Sequence, residues 1–156
     1  MIQRIQSIFL LLVVISMGVT IGTELWEQTV NEQTWKLNAF VLENFDANQE
    51  VVSSTSKWFL GALAAFSGLL ALISIFQYKN RTRQMMINMI NSLLMVGLVA
   101  ATFLTTNGLN SEMGIEAAGT YKIGFWAILA AMVFNMLANR FIRKDEMLVR
   151  SVDRIR

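Results

Sequence analysis

The residues best placed to do chemistry in this chain are uncharged amides and hydroxyls set into apolar surroundings. Gln3, Gln6 and Ser7 form one group, Ser74 and Gln77 a second, Asn88, Asn91 and Ser92 a third, and Asn135 and Asn139 a fourth. Spacings of three or four put the members of each group on one face of a helix. Such side chains donate and accept hydrogen bonds, but they do not attack carbon without an activating base. The chain has no histidine and no cysteine, so the usual general base, the commonest metal and haem ligand, and thiolate chemistry are all missing. The acids Glu24, Glu27, Glu32, Glu43, Asp46, Glu50, Glu112 and Glu116 are scattered singly, with no partner base. No GxSxG, P-loop or HExxH pattern occurs. The expectation is a protein that is not an enzyme, with no catalytic, metal-binding or cofactor-binding residues and no cofactor.

The elements that must position those amides are four apolar stretches, about 5–21, 58–78, 85–105 and 123–142. Each is close to the ~20 residues needed to cross ~30 Å of hydrocarbon. With 54% hydrophobic and 15% charged residues, a soluble fold of this length would have to bury more apolar side chain than it can enclose. No charged residue lies between the flanks of any span, Arg140 standing at the edge of the fourth, and the chain has no proline, so the ionisable relays and broken helices of many transporters are not signalled. The first stretch follows Arg4, but no signal-cleavage pattern succeeds it, so it reads as an uncleaved anchor.

Orientation follows from charge. Of 13 Lys and Arg residues, all but Lys36, Lys57 and Lys122 fall on the side holding both termini and the 79–84 turn, whereas the acids named above fall on the other side. The positive-inside bias therefore makes both termini cytoplasmic. The net charge of +2 averages a basic inner face with an acidic outer one, and does not imply nucleic-acid binding. With the helix directions alternating, the four polar groups coincide in depth, in the cytoplasmic third of the bilayer. Three readings of this layer stay open: mutual hydrogen bonds that lock helix register, a quinone or lipid headgroup site, and a face for a partner subunit.

Outside the spans, residues 22–57 form the larger outer loop. Trp35 to Phe45 alternates as an extended strand does; Leu25 to Val30 pairs with it through a turn at Asn31 to Gln33, and Val51-Val52 adds a third short strand. The segment reads either as a lid over the helix ends or as a docking surface with Trp26, Trp35, Phe40 and Phe45 as anchors. Loop 106–122, rich in Gly, is expected to be irregular. Trp58, Phe59, Tyr78, Tyr121 and Trp126 suit an interfacial aromatic belt. Gly61/Ala65, Ala64/Gly68, Gly97/Ala101 and Ala127/Ala131 suit close helix contact, and Met85, Met86, Met89 and Met95 suit gap filling.

The tail, 143–156, places Leu148, Val152 and Ile155 on one face among Arg143, Lys144, Arg150 and Arg154. It reads as an amphipathic helix with three outcomes: a stop-transfer flank, a helix on the anionic leaflet, or a cytoplasmic docking surface.

The opening Met1-Ile2-Gln3-Arg4-Ile5-Gln6 before an apolar run, and the ending Ile142-Arg143-Lys144-Asp145-Glu146 with Leu148-Val149-Arg150-Ser151 and Asp153-Arg154-Ile155-Arg156, resemble the family called domain of unknown function 4293. That family consists of small four-span membrane proteins of Bacteroidota. The resemblance covers essentially the full length and implies the inner membrane of a Gram-negative bacterium, with loops 22–57 and 106–122 in the periplasm. It carries no catalytic residues. The expected fold is an all-α membrane protein, a four-transmembrane-helix bundle forming one domain with a small periplasmic β-hairpin-like element between helices 1 and 2. The expected function is that of a non-enzymatic accessory or structural subunit of a larger membrane complex, in contact with the lipid bilayer and with other membrane protein subunits, homo-oligomers being left open. The alternative is a small-molecule or lipid/quinone-binding, transporter-like protein.

Overall fold

The computed structural model describes residues 5–78, 80–114 and 118–153, with side chains described up to residue 148. Among them are four long helices, α1 (Ile5–Gly22), α2 (Trp58–Phe76), α3 (Arg81–Glu112) and α4 (Ile123–Asp153). Between α1 and α2 run β1 (Trp26–Val30), β2 (Gln33–Leu37), β3 (Val41–Phe45) and β4 (Val51–Ser56), and before α4 lies β5 (Thr120–Tyr121).

All four helices are long and apolar enough to cross a membrane, with mean hydropathy of 1.5 to 2.3 over their best windows. Only 28–33% of each window is buried inside the protein. Leu93 and Leu104 are both 68% exposed and Phe76 is 76% exposed. Such helices are apolar all round, unlike the one-sided helices of soluble bundles.

α1 packs against α4 and α2, and α3 against α2 and α4. Their shared core contains Val13, Met17, Leu60, Ala64, Ala71, Met95, Leu98, Ile128 and Ala131. Phe9 on α1 stacks on Phe141 of α4 at 5.5 Å. Of the small-residue pairs, Ala64 and Gly68 are both buried, and a Cβ at Gly68 would meet Met17 Cβ at 3.4 Å, so this pair sets the α1–α2 approach. Gly97 has open space around it and makes no such contact. Met95 is in the core, whereas Met86 and Met89 are exposed, so gap filling accounts for only part of the methionine content.

The sheet is larger than a hairpin. Its five strands are all antiparallel, in the order β4-β3-β2-β1-β5. The β1–β2 turn, at Asn31 and Glu32, has φ of 50° and 65°, the left-handed pair that a two-residue hairpin loop requires. The continuous strand read from Trp35 to Phe45 is broken in two. Asn38 Oδ1 accepts from the backbone N–H of Phe40 at 2.9 Å and of Val41 at 2.8 Å, turning the chain between β2 and β3. A short polar side chain thus overrides the alternating pattern.

Loop 106–122 is not wholly irregular. α3 continues helically to Glu112, and Thr120–Tyr121 pairs with Trp26 and Glu27 as β5. The 32 residues of α3 span about 48 Å at 1.5 Å per residue, well beyond ~30 Å of hydrocarbon. Its far end lies against the sheet, where Thr106 Oγ1 and Tyr121 Oη are 3.2 Å apart. At its start, Asn80 caps the helix by accepting from Arg83 N–H at 3.2 Å. α4 likewise runs on through the expected tail boundary to Asp153, so the tail continues the fourth helix.

Candidate functional site

Three of the four polar groups meet at one level between α2, α3 and α4. Ser74 Oγ donates to Asn88 Oδ1 at 2.6 Å, and Ser67 Oγ to Asn91 Oδ1 at 2.7 Å, tying α2 to α3. Asn135 Nδ2 on α4 donates to Asn88 O and to Ser92 Oγ, both at 2.8 Å. Ser92 Oγ donates back to Asn88 O at 3.1 Å. Ser67, Ser74, Asn88, Asn91 and Asn135 are all fully buried. In surroundings that offer no water, an amide without a partner loses its solvation outright, so such mutual bonds are what helix packing must supply.

The first helix does not join this network. Gln6 is buried and Ser7 half-buried, yet among the described residues neither is hydrogen-bonded to the groups on the other helices; Gln3 lies outside those residues. Gln77 caps the end of α2 through its backbone N–H. Asn139 sits one turn past Asn135 and lines a groove instead.

Two members were missed by sequence reading. Gln84 is fully buried and donates from Nε2 to Ser74 O at 2.9 Å, and Ser67 is the partner of Asn91. The signal was present: Gln84 precedes Asn88 by four, about one helical turn, and Ser67 precedes Ser74 by seven, about two turns, so each shares its partner's face. The network is also incomplete. Gln84 Oε1, Asn88 Nδ2, Asn91 Nδ2, Asn135 Oδ1 and Asn139 Oδ1 are buried without a hydrogen-bond partner. Among the described residues, no cluster of three or more His, Cys, Asp or Glu could hold a metal ion.

The proposed outer anchors divide. Trp26 is not a docking residue: it is fully buried, its Nε1 donates to Ala118 O at 3.0 Å, and its ring lies against Gly119. Gly119 has φ of +70°, and a Cβ there would stand 2.5 Å from Trp26 Nε1, so glycine is required on both counts. Trp35 is half-buried and, with Leu42, Lys57, Leu104 and Glu112, lines a cavity of about 450 Å³ between the sheet and α3. Phe40 is 46% exposed, and Phe45 lies half-buried beneath the Lys36 ammonium, 5.7 Å from its ring centre.

Two of the three lysines on this side are neutralised in place, Lys36 by Glu24 and Lys122 by Glu27, each at 3.0 Å. The hydrogen bond that Lys36 donates to Glu24 is the main reason that Lys36 holds its proton above the usual lysine range, with the Glu24, Glu27 and Glu43 charges adding to it and burial opposing it. At the other end, Arg81 lies 3.9 Å from Asp145, bridging α3 and α4. Arg143, Lys144 and Leu148 are on described helix, and Leu148 is 58% exposed; for Arg150 and Val152 only the backbone is described, and Arg154 lies outside the described residues.

Four helices long and apolar enough to cross a membrane, three of them tied by buried amides, together with an antiparallel sheet, define a membrane-protein architecture. The chain belongs to the family described as Domain of unknown function (DUF4293), whose model matches residues 2–155. No curated protein matches it.

Proposed function

We propose that this protein is a non-enzymatic, multi-pass protein of the bacterial inner membrane that serves as an accessory or structural subunit of a larger membrane complex, with both termini cytoplasmic and the sheet in the periplasm. The observation that carries the reading is the free edge of the sheet. All six residues of β4 are exposed, none is charged, and the strand sits directly before the membrane entry at Trp58. At the other edge, β5 is only two residues long. Soluble proteins blunt such an edge with charge, proline or a covering element, because its unpaired N–H and C=O groups recruit another strand. The bulge near Asn44/Phe45 perturbs only the start of β4. The amide network fits the same role, since bonds between helices fix a shape and do not open a path.

The test is to tag the protein at its native locus, extract it in mild detergent and identify stoichiometric companions by mass spectrometry, with a photocrosslinking residue at Ser54 and a control at Thr29. A large complex crosslinked through Ser54 is expected. Elution as a bare monomer or homo-oligomer, with no crosslink from β4, overturns the reading. A second reading, lipid binding beside the amide layer, is favoured by a groove between α3 and α4.

A further inference from the structure

The groove lies between α3 and α4 at the basic end of the molecule. It encloses about 270 Å³ and is lined by Ser92, Met136, Asn139, Arg140 and Arg143. The four α4 residues fall at i, i+3, i+4 and i+7, so they form one stripe facing α3. Both arginines are exposed, and among the described residues neither has an ion-pair partner; the nearby acid Asp145 is held by Arg81. Asn139 Oδ1 is buried in the groove wall and accepts nothing. Ser92 cannot supply that missing donor, because its proton goes to Asn88 O and its oxygen already receives Asn135 Nδ2. The site is therefore short of two things at once: an anion for two guanidiniums and a donor for one carbonyl. Met136, 67% exposed beside them, offers an apolar strip toward the middle of α4.

We propose that this groove binds the headgroup of a phospholipid whose phosphate takes Arg140 and Arg143 and whose terminal hydroxyl or ammonium donates to Asn139 Oδ1. Arginine suits the first part, since its planar fork matches phosphate oxygens pairwise. The second part sets the specificity: phosphatidylglycerol and phosphatidylethanolamine carry the donor, whereas phosphatidylcholine carries the same phosphate without one. A site that leaves a buried carbonyl unpaired discriminates against the ligand lacking the donor. The inference rests on the helices spanning a bilayer, but not on the protein having a partner.

The full chain in mild detergent, titrated with short-chain phosphatidylglycerol, phosphatidylethanolamine, phosphatidylcholine and inorganic phosphate by native mass spectrometry, tests it. The first two lipids should bind at least about tenfold more tightly than phosphatidylcholine. R140Q/R143Q should weaken all three, whereas R83Q, a neutralisation at the same end outside the groove, should not. Asn139→Leu should lower the first two to the level of phosphatidylcholine and leave the latter unchanged. Asn139→Ala is the second variant if the leucine does not fold, and melting of each variant in detergent checks folding. Equal binding of the three lipids to wild type, or equal losses in R83Q and R140Q/R143Q, overturns the site as general attraction of a basic surface. Inorganic phosphate competing at lipid-like concentrations overturns the lipid in favour of a free anion.

Discussion

At the scale of single residues, the amide network shows how little each bond adds and how much its geometry constrains. Asn135 holds two acceptors from one nitrogen, while Asn91 receives only the Ser67 hydroxyl. Hydrogen bonds between membrane helices average about 0.6 kcal/mol and reach about 1.7. Asn135→Leu should therefore cost about 1 kcal/mol and Asn91→Leu less, read as shifts in the denaturant midpoint in mixed micelles. An Asn91→Leu, Asn135→Leu double variant as stable as wild type removes the register-lock reading. Much of this site was legible in the sequence, because polar residues in an apolar run are few and their helical spacing is unambiguous. What was not legible is which of them meet. Gln6 and Ser7 share the depth of the others, yet the packing of α1 on α4 through Phe9 and Phe141 turns on ring shape, which spacing does not encode.

Lys36 belongs to the same scale. Its proton is held above the usual lysine range by Glu24, so the folded state binds that proton more tightly than the unfolded chain does. The stabilisation is fully present below the ordinary lysine range and is lost as pH rises through the raised value. Because the Lys36 and Glu24 side chains are 35% and 41% exposed, solvent screening keeps the effect small. Glu24→Gln should lower stability by less than about 1 kcal/mol at neutral pH, and the difference from wild type should vanish above the raised lysine value in melts across alkaline pH.

At the scale of elements, helix boundaries followed hydropathy only in part, and strand boundaries followed turn chemistry. α1 and the start of α2 lie where the apolar runs put them, because ~20 apolar residues in sequence admit one structure in lipid. α3 overran its predicted end at Thr105, since Thr106 and Asn110 are buried polar positions that a hydropathy average scores as loop. Strand pairing was half legible: the β1–β2 turn was placed correctly, but β5 pairs across more than ninety residues of sequence with no local signal. The hairpin turn itself makes a prediction. Glu32 holds φ of 65°, a conformation that strains a side chain and suits glycine. Glu32→Gly should stabilise the sheet by up to about 1 kcal/mol, offset in part by the added freedom of the unfolded chain. Fluorescence of Trp26 and Trp35 during denaturant unfolding reads it out; a loss of stability means the turn is not of this type.

At the scale of the whole molecule, the fold gathers most of the acids at one end and most of the cations at the other. The sheet and its turns carry Glu24, Glu27, Glu32, Glu43, Asp46 and Glu50, with Lys36 and Lys122 paired to two of them, while the helix ends opposite carry Arg81, Arg83, Arg140, Arg143 and Lys144 beside Asp145 and Glu146. Moving those cations across a bilayer is opposed during insertion, which is the physical ground for proposing that the sheet lies outside and the basic helix ends inside. The chain has no cysteine, so one introduced thiol reports its own position without background. Ser54→Cys, in the exposed β4, should react with a membrane-impermeant maleimide in spheroplasts. Thr82→Cys, exposed at the start of α3, should react only after the membrane is opened. The reverse pattern inverts the orientation and would place the basic groove and its arginines against the outer leaflet; labelling of both sites in closed spheroplasts means that the helices do not separate the two ends by a sealed bilayer.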